Sequence, residues 1–397
     1  MRSGRDSADL PDPAIAPAPR INPELLGHEA AESALRRLFE AGRLPHALLL
    51  CGSRGIGKAT LAFRFARFVL ANGGGEGALG GLFGDADAKG LAIAPDSGTF
   101  RRVASGGHAD LLTVERAYDP RRRRLRSEII VENAREIGAF LRLTPAEGGW
   151  RVVIVDGADE MNRNAANALL KILEEPPRRA LLLLVAHSPG RLLPTIRSRC
   201  RRFPLAPLPP AIVRQLVLRY RPALPESQAE ALTALSGGSI GRALDLAAAG
   251  GVELYESMLA LLSRDQGIDP PALHAFADRL ARGESEEAYR AVEELVAQLL
   301  ARVAGAAARG SPGAELARPL PDPPLPGLDR GIAGEGRVGA EARESAVLQR
   351  LGNRAPAARW AELRDEIGRL FARTDALNLD KKQTILGAFF AIEGAAR

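Results

Sequence analysis

Short runs of consecutive apolar residues alternate, in the first half of the chain, with longer segments in which apolar residues recur every three or four positions. The runs are His46–Cys51, Arg151–Val155 and Leu181–Ala186, and Ala109–Glu115 is a further strand candidate. Such runs are typical of strands buried on both faces of a parallel sheet, and the segments between them predict amphipathic helices. The pattern therefore predicts a doubly wound α/β domain that ends near Leu205.

The strand signal ends at Pro207–Pro210, and helical periodicity continues from there to Ala395. A stretch rich in Gly and Pro, at about 304–340, lacks this periodicity and predicts a long loop. The expected parts of the chain are a disordered Pro/Ala-rich tail (1–20), the α/β domain (21–206), a small helical domain (207–250) and a helical C-terminal domain that contains the loop (251–397).

Composition narrows the class of protein without defining a function. The 397 residues are enough for two or three domains, and the net charge of +6 permits contact with nucleic acid or an acidic partner. Two cysteines, Cys51 and Cys200, are too few for a disulfide scaffold or a four-cysteine zinc site. No apolar run approaches the roughly 20 residues of a membrane span, and the N-terminus lacks the apolar core of a signal peptide. We therefore expect a cytoplasmic protein with reduced thiols.

Candidate phosphate-binding chemistry follows the first apolar run directly. The sequence GSRGIGKA, Gly52–Ala59, lies between a predicted strand and a predicted helix, as a Walker A loop does. Its glycines let backbone N–H groups converge on phosphate oxygens, and Lys58 would reach the β- and γ-phosphates. Ala59 replaces the hydroxyl residue that binds Mg²⁺, and Thr60 is about 100° further round the helix. The candidate nucleotide-binding residues here are Gly52, Gly55, Gly57, Lys58 and Thr60; the alternative is a tight strand-to-helix turn that has lost its ligand.

The run Arg151–Val155 is followed directly by Asp156, at the position where a P-loop ATPase has its Walker B carboxylate. Asp156 could hold Mg²⁺ through water, or it could simply cap the turn after a buried strand. The next residue is Gly157, which cannot polarise an attacking water, and Asp159 lies two residues further on. His187, at the end of the next strand, is equally compatible with a γ-phosphate sensor and with an ordinary polar residue. The sequence therefore predicts a nucleotide-binding architecture without part of its chemistry.

Two later motifs add a family resemblance. LLKILEEPP (Leu169–Pro177) is followed by Ser198-Arg199-Cys200, and motifs of this kind in this order resemble the clamp-loader branch of the AAA+ proteins. Those proteins open a ring-shaped sliding clamp and place it on primed DNA. The resemblance covers residues 21 to about 246, and Gly237–Leu244 resembles the sensor 2 segment, with Arg242 as its arginine. It implies a P-loop AAA+ domain with a parallel sheet, a small helical lid and an all-α collar domain.

Two bacterial subunit families in this branch are distinguished by their motifs. The gamma/tau motor subunits have an intact Walker A motif and an acidic pair at the Walker B position, whereas the delta-prime subunits have degenerate versions and keep the SRC arginine. Ala59 and Gly157 favour the delta-prime family. The segment from Arg359 to Glu393 also resembles the last helices of that family's collar domain.

The resemblance implies a stator-like subunit that joins gamma/tau and delta subunits in a hetero-oligomeric ring and acts on the clamp and primed DNA through that complex. Arg199 would then be an arginine finger for a neighbouring subunit's ATP site. Binding of ATP or ADP stays open, Mg²⁺ would come only with nucleotide, and no zinc is expected because Asn72–His108 contains no cysteine. The chain's own ATPase would be absent or weak, and any polymerase activity would belong to the holoenzyme.

Three alternatives remain. The chain could be a motor-type clamp-loader ATPase with unusual Walker residues, or a stand-alone AAA+ protein that remodels DNA. Arg199 could also be an ordinary surface arginine, because it lies in a basic run with Arg197, Arg201 and Arg202.

Overall fold

A computed structural model describes residues 16–74, 90–119, 124–126, 128–147, 149–264, 266–282, 286–310 and 335–396. The chain divides into two compact units. The first, called the α/β unit here, comprises residues 1–222 and 237–242, and the second, the helical unit, comprises residues 223–236 and 243–397. The predicted domain at 207–250 is thus shared between the two units, and the division into three domains stays a prediction.

The α/β unit is built on a parallel sheet of five strands with the order β2-β5-β6-β1-β7. Two short strands, β3 and β4, form a separate antiparallel pair. The strands are β1 (Ala47–Cys51), β2 (Leu111–Val114), β3 (Tyr118–Asp119), β4 (Arg124–Leu125), β5 (Arg151–Asp156), β6 (Ala180–Ala186) and β7 (Arg201–Pro204). The predicted P-loop α/β fold with a parallel sheet and flanking helices is confirmed.

Helices cover both faces of this sheet, and alternate strand residues point to opposite faces. Leu49 and Val153 belong to the hydrophobic core on one face, whereas Leu48 and Val152 belong to the core on the other. The helices of the first part of the chain are α1 (Glu29–Glu40), α2 (Lys58–Asn72), α3 (Gly98–Ala104), α4 (Val131–Leu141), α5 (Arg163–Glu174), α6 (Pro194–Arg199) and α7 (Pro210–Tyr220). The residues of β1, β5 and β6 are buried on both faces of the sheet, which explains why these strands appear in the sequence as almost continuous apolar runs.

The helices of the second part of the chain are α8 (Glu226–Ser236), α9 (Ile240–Ala248), α10 (Gly251–Leu262), α11 (Pro270–Arg282), α12 (Glu286–Gly310), α13 (Glu335–Gly352), α14 (Ala357–Leu377) and α15 (Lys381–Ala395). In the helical unit α12 packs against α14, and α15 packs against α11 and α14. Its largest buried side chains include Trp360, Tyr289, Phe371 and Phe389. The predicted helical C-terminal region is confirmed.

Some predicted boundaries were wrong. The loop expected at about 304–340 is shorter at both ends, because α12 continues to Gly310 and α13 begins at Glu335. The remainder of that loop, and residues 1–15 of the predicted tail, lie outside the described residues. The end of the tail is held in place, since Arg67 of α2 donates a hydrogen bond to the Arg20 carbonyl oxygen at 2.8 Å.

Strand β7 and helix α3 were not predicted. Strand β7 lies at the edge of the sheet, its residues are largely exposed and two of them are arginines. It therefore lacks the apolar run that identified its neighbours. Among the described helices, none combines the length and apolar character that crossing a bilayer requires.

Candidate nucleotide site and arginine finger

The predicted phosphate loop connects β1 to α2 at the carboxyl edge of the sheet. Gly55 and Gly57 have φ angles of +76° and +102°, a region that residues with a Cβ atom rarely adopt. These two glycines therefore give the loop its tight turn into α2. The predicted neighbours Ala59 and Thr60 lie in the first turn of α2, where Thr60 is buried.

Lys58 is bound to its own loop. Its Nζ donates hydrogen bonds to the carbonyl oxygens of Gly52 at 2.8 Å and Ser53 at 2.5 Å, and the residue is only 3% exposed. Burial lowers the pKa of this ammonium group to about 8, and the carboxylate of Asp156 acts in the opposite direction. The side chain stays charged at neutral pH, but a phosphate would have to replace two good hydrogen bonds to reach it.

The segment Gly237–Arg242, which resembles sensor 2, lies directly against the phosphate loop within the α/β unit. Ser239 Oγ donates a hydrogen bond to the Arg54 carbonyl oxygen at 2.7 Å, and the Gly241 N–H donates to the Gly55 carbonyl oxygen at 3.0 Å. A Cβ atom at Gly55 would lie 2.4 Å from Ser239 Oγ. The structure therefore brings the predicted P-loop and sensor 2 segments together, with almost no space between them at Gly55.

The guanidinium of Arg242 lies close to the backbone of its own segment, since a Cβ atom at Gly237 would be 3.6 Å from Arg242 Nη1. The backbone N–H of Arg242 donates to Ser239 Oγ at 3.1 Å. Ser239 Oγ thus accepts one hydrogen bond from its own segment and donates another to the phosphate loop, which joins the two segments. Sequence reasoning missed this serine because its role depends on a partner far away in the chain.

The N-terminal side of the phosphate loop is also covered. His28 Nε2 donates a hydrogen bond to the Ile56 carbonyl oxygen at 2.8 Å, and the histidine is buried. A Cβ atom at Gly57 would lie 2.8 Å from Leu25 Cδ1. Sequence reasoning missed Leu25 and His28, which precede α1 and have no distinctive spacing.

Asp156 is the last residue of β5, and Lys58 contributes to its electrostatic environment. Burial raises the pKa of this carboxyl group, Glu115 adds to the increase, and Lys58 partly offsets it. The structure therefore brings the predicted Walker A lysine and Walker B acid together at one end of the sheet.

Gly157 has a left-handed backbone, with φ of +78°. A Cβ atom there would lie 2.6 Å from Glu160 Oε2, and Glu160 forms an ion pair with Arg116 at 2.8 Å. The backbone that follows β5 is consequently shaped for glycine, and a glutamate at this position would be strained.

Asp159 does not replace the missing catalytic acid. Its two carboxylate oxygens accept the backbone N–H groups of His187 at 3.0 Å and Ser188 at 2.7 Å, so that it joins the ends of β5 and β6. Burial lowers the pKa of His187 to about 4, with Lys58 adding to the decrease, and the imidazole is neutral at pH 7. Its Nδ1 atom has no hydrogen-bond partner within the part of the chain that the structure describes.

The donor set at this site fits a phosphate group only in part. The glycine loop and the lysine at position 58 are of the type that binds phosphate. However, Ala59 offers no hydroxyl for Mg²⁺, and the Lys58 ammonium group is already hydrogen-bonded to two backbone carbonyl oxygens. In the described residues no cluster of His, Cys, Asp and Glu side chains has the arrangement of a metal site. The predictions for ATP or ADP, Mg²⁺ and zinc stay predictions.

Arg199 lies at the end of α6, and its guanidinium has two defined contacts. Nη2 is 2.9 Å from Oε1 of Glu174, the last residue of α5, and Nη1 donates a hydrogen bond to the Thr195 carbonyl oxygen at 3.1 Å. The side chain is 36% exposed. The two motifs LEEPP and SRC, which the sequence only places in order, are therefore joined by an ion pair.

Cys200 faces inward from the same turn, and it shares a hydrophobic core with Cys51. Both thiols are free and buried. Burial raises the pKa of Cys200 to about 12, so this thiol is unreactive at neutral pH.

Three features define a P-loop protein of the AAA+ class. The sheet has five parallel strands, a glycine loop connects β1 to α2, and an acidic residue ends β5, which is separated from β1 by the single strand β6. Residues 27–209 match the model of the family described as DNA polymerase III, delta subunit. The match covers slightly less than half of the chain, and this part of the chain is similar to that family.

The chain is also similar to known subunits of DNA polymerase III. The chain is 40% identical over 197 residues to the delta' subunit of DNA polymerase III from Pseudomonas aeruginosa, a match that covers 49% of this chain and 53% of that protein. It is 32% identical over 181 residues to the delta' subunit from Bacillus subtilis, covering 45% and 48%. It is 28% identical over 289 residues to the tau subunit from Escherichia coli, covering 69% and 41%. The chain thus spans about half the length of the curated relatives it matches.

Proposed function

We propose that the protein is a clamp-loader subunit of DNA polymerase III, of the delta-prime type. In this role it completes a ring with gamma/tau and delta subunits in the cytoplasm, and the ring loads a sliding clamp on primed DNA. Its chemical contribution is Arg199, which acts at the ATP site of a neighbouring subunit. The observation that carries this proposal is a contrast between two basic residues. Arg199 is partly exposed, whereas Lys58 of the phosphate loop is buried and hydrogen-bonded to the backbone of that loop.

The state of the chain's own nucleotide site supports a structural role. Ala59 and Gly157 remove the metal ligand and the water-activating acid, and Lys58 is bound to backbone oxygens. Each of these features opposes hydrolysis, and together they favour a subunit whose ATPase is absent or weak.

The chemistry of Arg199 supports a contribution in trans. A guanidinium is always charged, and its planar set of N–H donors matches the oxygens of a phosphate. Arginine fingers raise phosphoryl-transfer rates by about 10³–10⁵. The Arg199 side chain is 36% exposed, so part of it is accessible to a phosphate brought by another molecule.

The test is an Arg199→Ala variant in a complex reconstituted with gamma/tau and delta subunits. Turnover at the neighbouring ATP site should fall by about 10³ or more, so that the DNA-stimulated ATPase of the complex loses the share of that site. Assembly, measured by size-exclusion chromatography with light scattering, should not change. Arg202→Ala is a matched control, since Arg202 is an exposed arginine in the same basic run. Unchanged DNA-stimulated ATPase in the Arg199→Ala complex would refute the proposal.

One observation favours the motor-type alternative. Lys58 and Asp156 have kept their Walker positions and interact electrostatically. A motor-type chain would hydrolyse ATP by itself, and Lys58→Ala would abolish that turnover. The delta-prime proposal expects no turnover in the isolated chain and no effect of Lys58→Ala on it.

A further inference from the structure

We propose that Glu174, the first glutamate of the LEEPP motif, is a positioning residue for Arg199. This inference rests on the proposed function, because it concerns how the arginine finger is presented to a neighbouring ATP site. Glu174 does not touch the nucleotide in this scheme. It acts by fixing the orientation of the Arg199 guanidinium before the neighbour arrives.

The two contacts of Arg199 fix the plane of its guanidinium. Glu174 holds Nη2 at 2.9 Å from the C-terminal end of α5, and the Thr195 carbonyl oxygen holds Nη1 at 3.1 Å from within α6. Since the acceptors belong to two different helices, the group cannot rotate without losing one of them. A long side chain that is already ordered loses less entropy when it binds its target.

The arginine keeps donors for a phosphate while it is held. A guanidinium has five N–H groups, and the two contacts described above use two of them. The side chain is 36% exposed, so part of it is accessible to a group from another subunit. Glu174 is therefore compatible with the arginine reaching a phosphate, and it does not need to be displaced first.

The position of Glu174 in its helix is not explained by helix stability. Glu174 ends α5, Glu175 follows it, and two carboxylates at a helix C-terminus interact unfavourably with the helix dipole. Glu175 has the same charge and the same exposure class as Glu174 but no ion pair among the described residues. The contact with Arg199 gives Glu174 a favourable interaction that its neighbour lacks, which makes Glu175 a matched control.

The experiment compares Glu174→Ala, Glu174→Gln and Glu175→Ala in the complete reconstituted complex. Each variant is made in two backgrounds, one that keeps Arg199 and one that carries Arg199→Ala. Alanine and glutamine are both good helix formers, so α5 should fold in every variant, and circular dichroism and chromatography check this. In the Arg199 background, Glu174→Ala should lower turnover at the neighbouring ATP site by about two- to fivefold, equivalent to about 0.4–1 kcal/mol. The DNA-stimulated ATPase of the complex should fall by less than it does in Arg199→Ala, which removes the whole share of that site. Glu174→Gln should lie between this variant and wild type, because a neutral acceptor binds a guanidinium more weakly than a carboxylate does.

Two further readouts separate positioning from a merely structural role. The KM for ATP should stay unchanged, because the neighbouring subunit's own residues bind the nucleotide. In the Arg199→Ala background, Glu174→Ala should have no additional effect, because a positioning residue acts only through the residue it positions. Glu175→Ala should match wild type in both backgrounds.

The outcomes distinguish the two proposals. If Arg199→Ala lowers the ATPase but Glu174→Ala behaves like Glu175→Ala, the positioning role is wrong and the proposed function stands. A higher rate in Glu174→Ala, or an equal loss with and without Arg199, also overturns the positioning role. If Arg199→Ala has no effect, the proposed function is refuted together with this inference.

Discussion

Gly157→Glu would place a glutamate directly after β5, where ATP-hydrolysing AAA+ proteins have their catalytic acid. The structure predicts that this substitution lowers the stability of the protein and does not produce ATP turnover. The position has φ of +78°, where a residue with a Cβ atom is strained. The added Cβ would also lie 2.6 Å from Glu160 Oε2, which is paired with Arg116 at 2.8 Å. The new carboxylate would in addition lie beside the carboxyl groups of Asp156 and Glu160.

The magnitude follows from two contributions. A left-handed backbone costs a residue with a Cβ atom roughly 1–2 kcal/mol. Moving Glu160 away from Arg116 adds about 1 kcal/mol, because an ion pair that is partly exposed contributes no more than this. The total is roughly 2–3 kcal/mol, which lowers the melting temperature of a unit of this size by about 4–12 °C.

Thermal denaturation followed by circular dichroism measures this loss, with Gly190→Glu as the control. Gly190 is exposed, lies outside the left-handed region and has open space around its Cβ position, so a glutamate there should change little. Gly157→Asn should lose less than Gly157→Glu, because asparagine tolerates the left-handed region better. ATP turnover by the isolated chain should stay absent in Gly157→Glu. A Gly157→Glu variant that melts with the Gly190→Glu control, or that gains ATP turnover, would refute this reasoning.

Two pH-dependent predictions accompany the tests of Arg199 and Glu174 given above. Burial lowers the pKa of His187 to about 4, so this imidazole binds a proton less readily in the folded α/β unit than in the unfolded chain. The unit should therefore lose stability as the pH falls from about 6.5 to 4. His187→Gln should reduce this loss in melting curves recorded across that range. Burial, together with Asp375, raises the pKa of Glu293 to about 7, so this carboxyl group costs the helical unit stability as the pH rises from about 4.5 to 7. Glu293→Gln should therefore raise the melting temperature at pH 8 and leave it nearly unchanged at pH 4, and an equal effect at both pH values would contradict the assignment.

The sequence predicted the central strands well because burial on both faces leaves an unambiguous signal. Strands β1, β5 and β6 appear as apolar runs, and the structure places them side by side in the sheet. The edge strand β7 was missed because its two arginines and exposed surface conceal the strand in the sequence. The long loop was overestimated because Gly and Ala residues at the ends of α12 and α13 weaken the helical pattern without preventing helix formation.

Residue types at fixed spacing, by themselves, determined which positions of the motifs differ from those of an ATP-hydrolysing P-loop protein. Ala59 offers no metal ligand and Gly157 offers no catalytic acid, and neither fact depends on the fold. Only the tertiary structure decided how the remaining groups are used. Lys58 is turned back to its own loop, Ser239 reaches the Arg54 carbonyl oxygen across 185 positions, and Glu174 meets Arg199 between two helices. These contacts depend on distances between segments that chain order does not specify, because they arise only when the helices pack on the sheet.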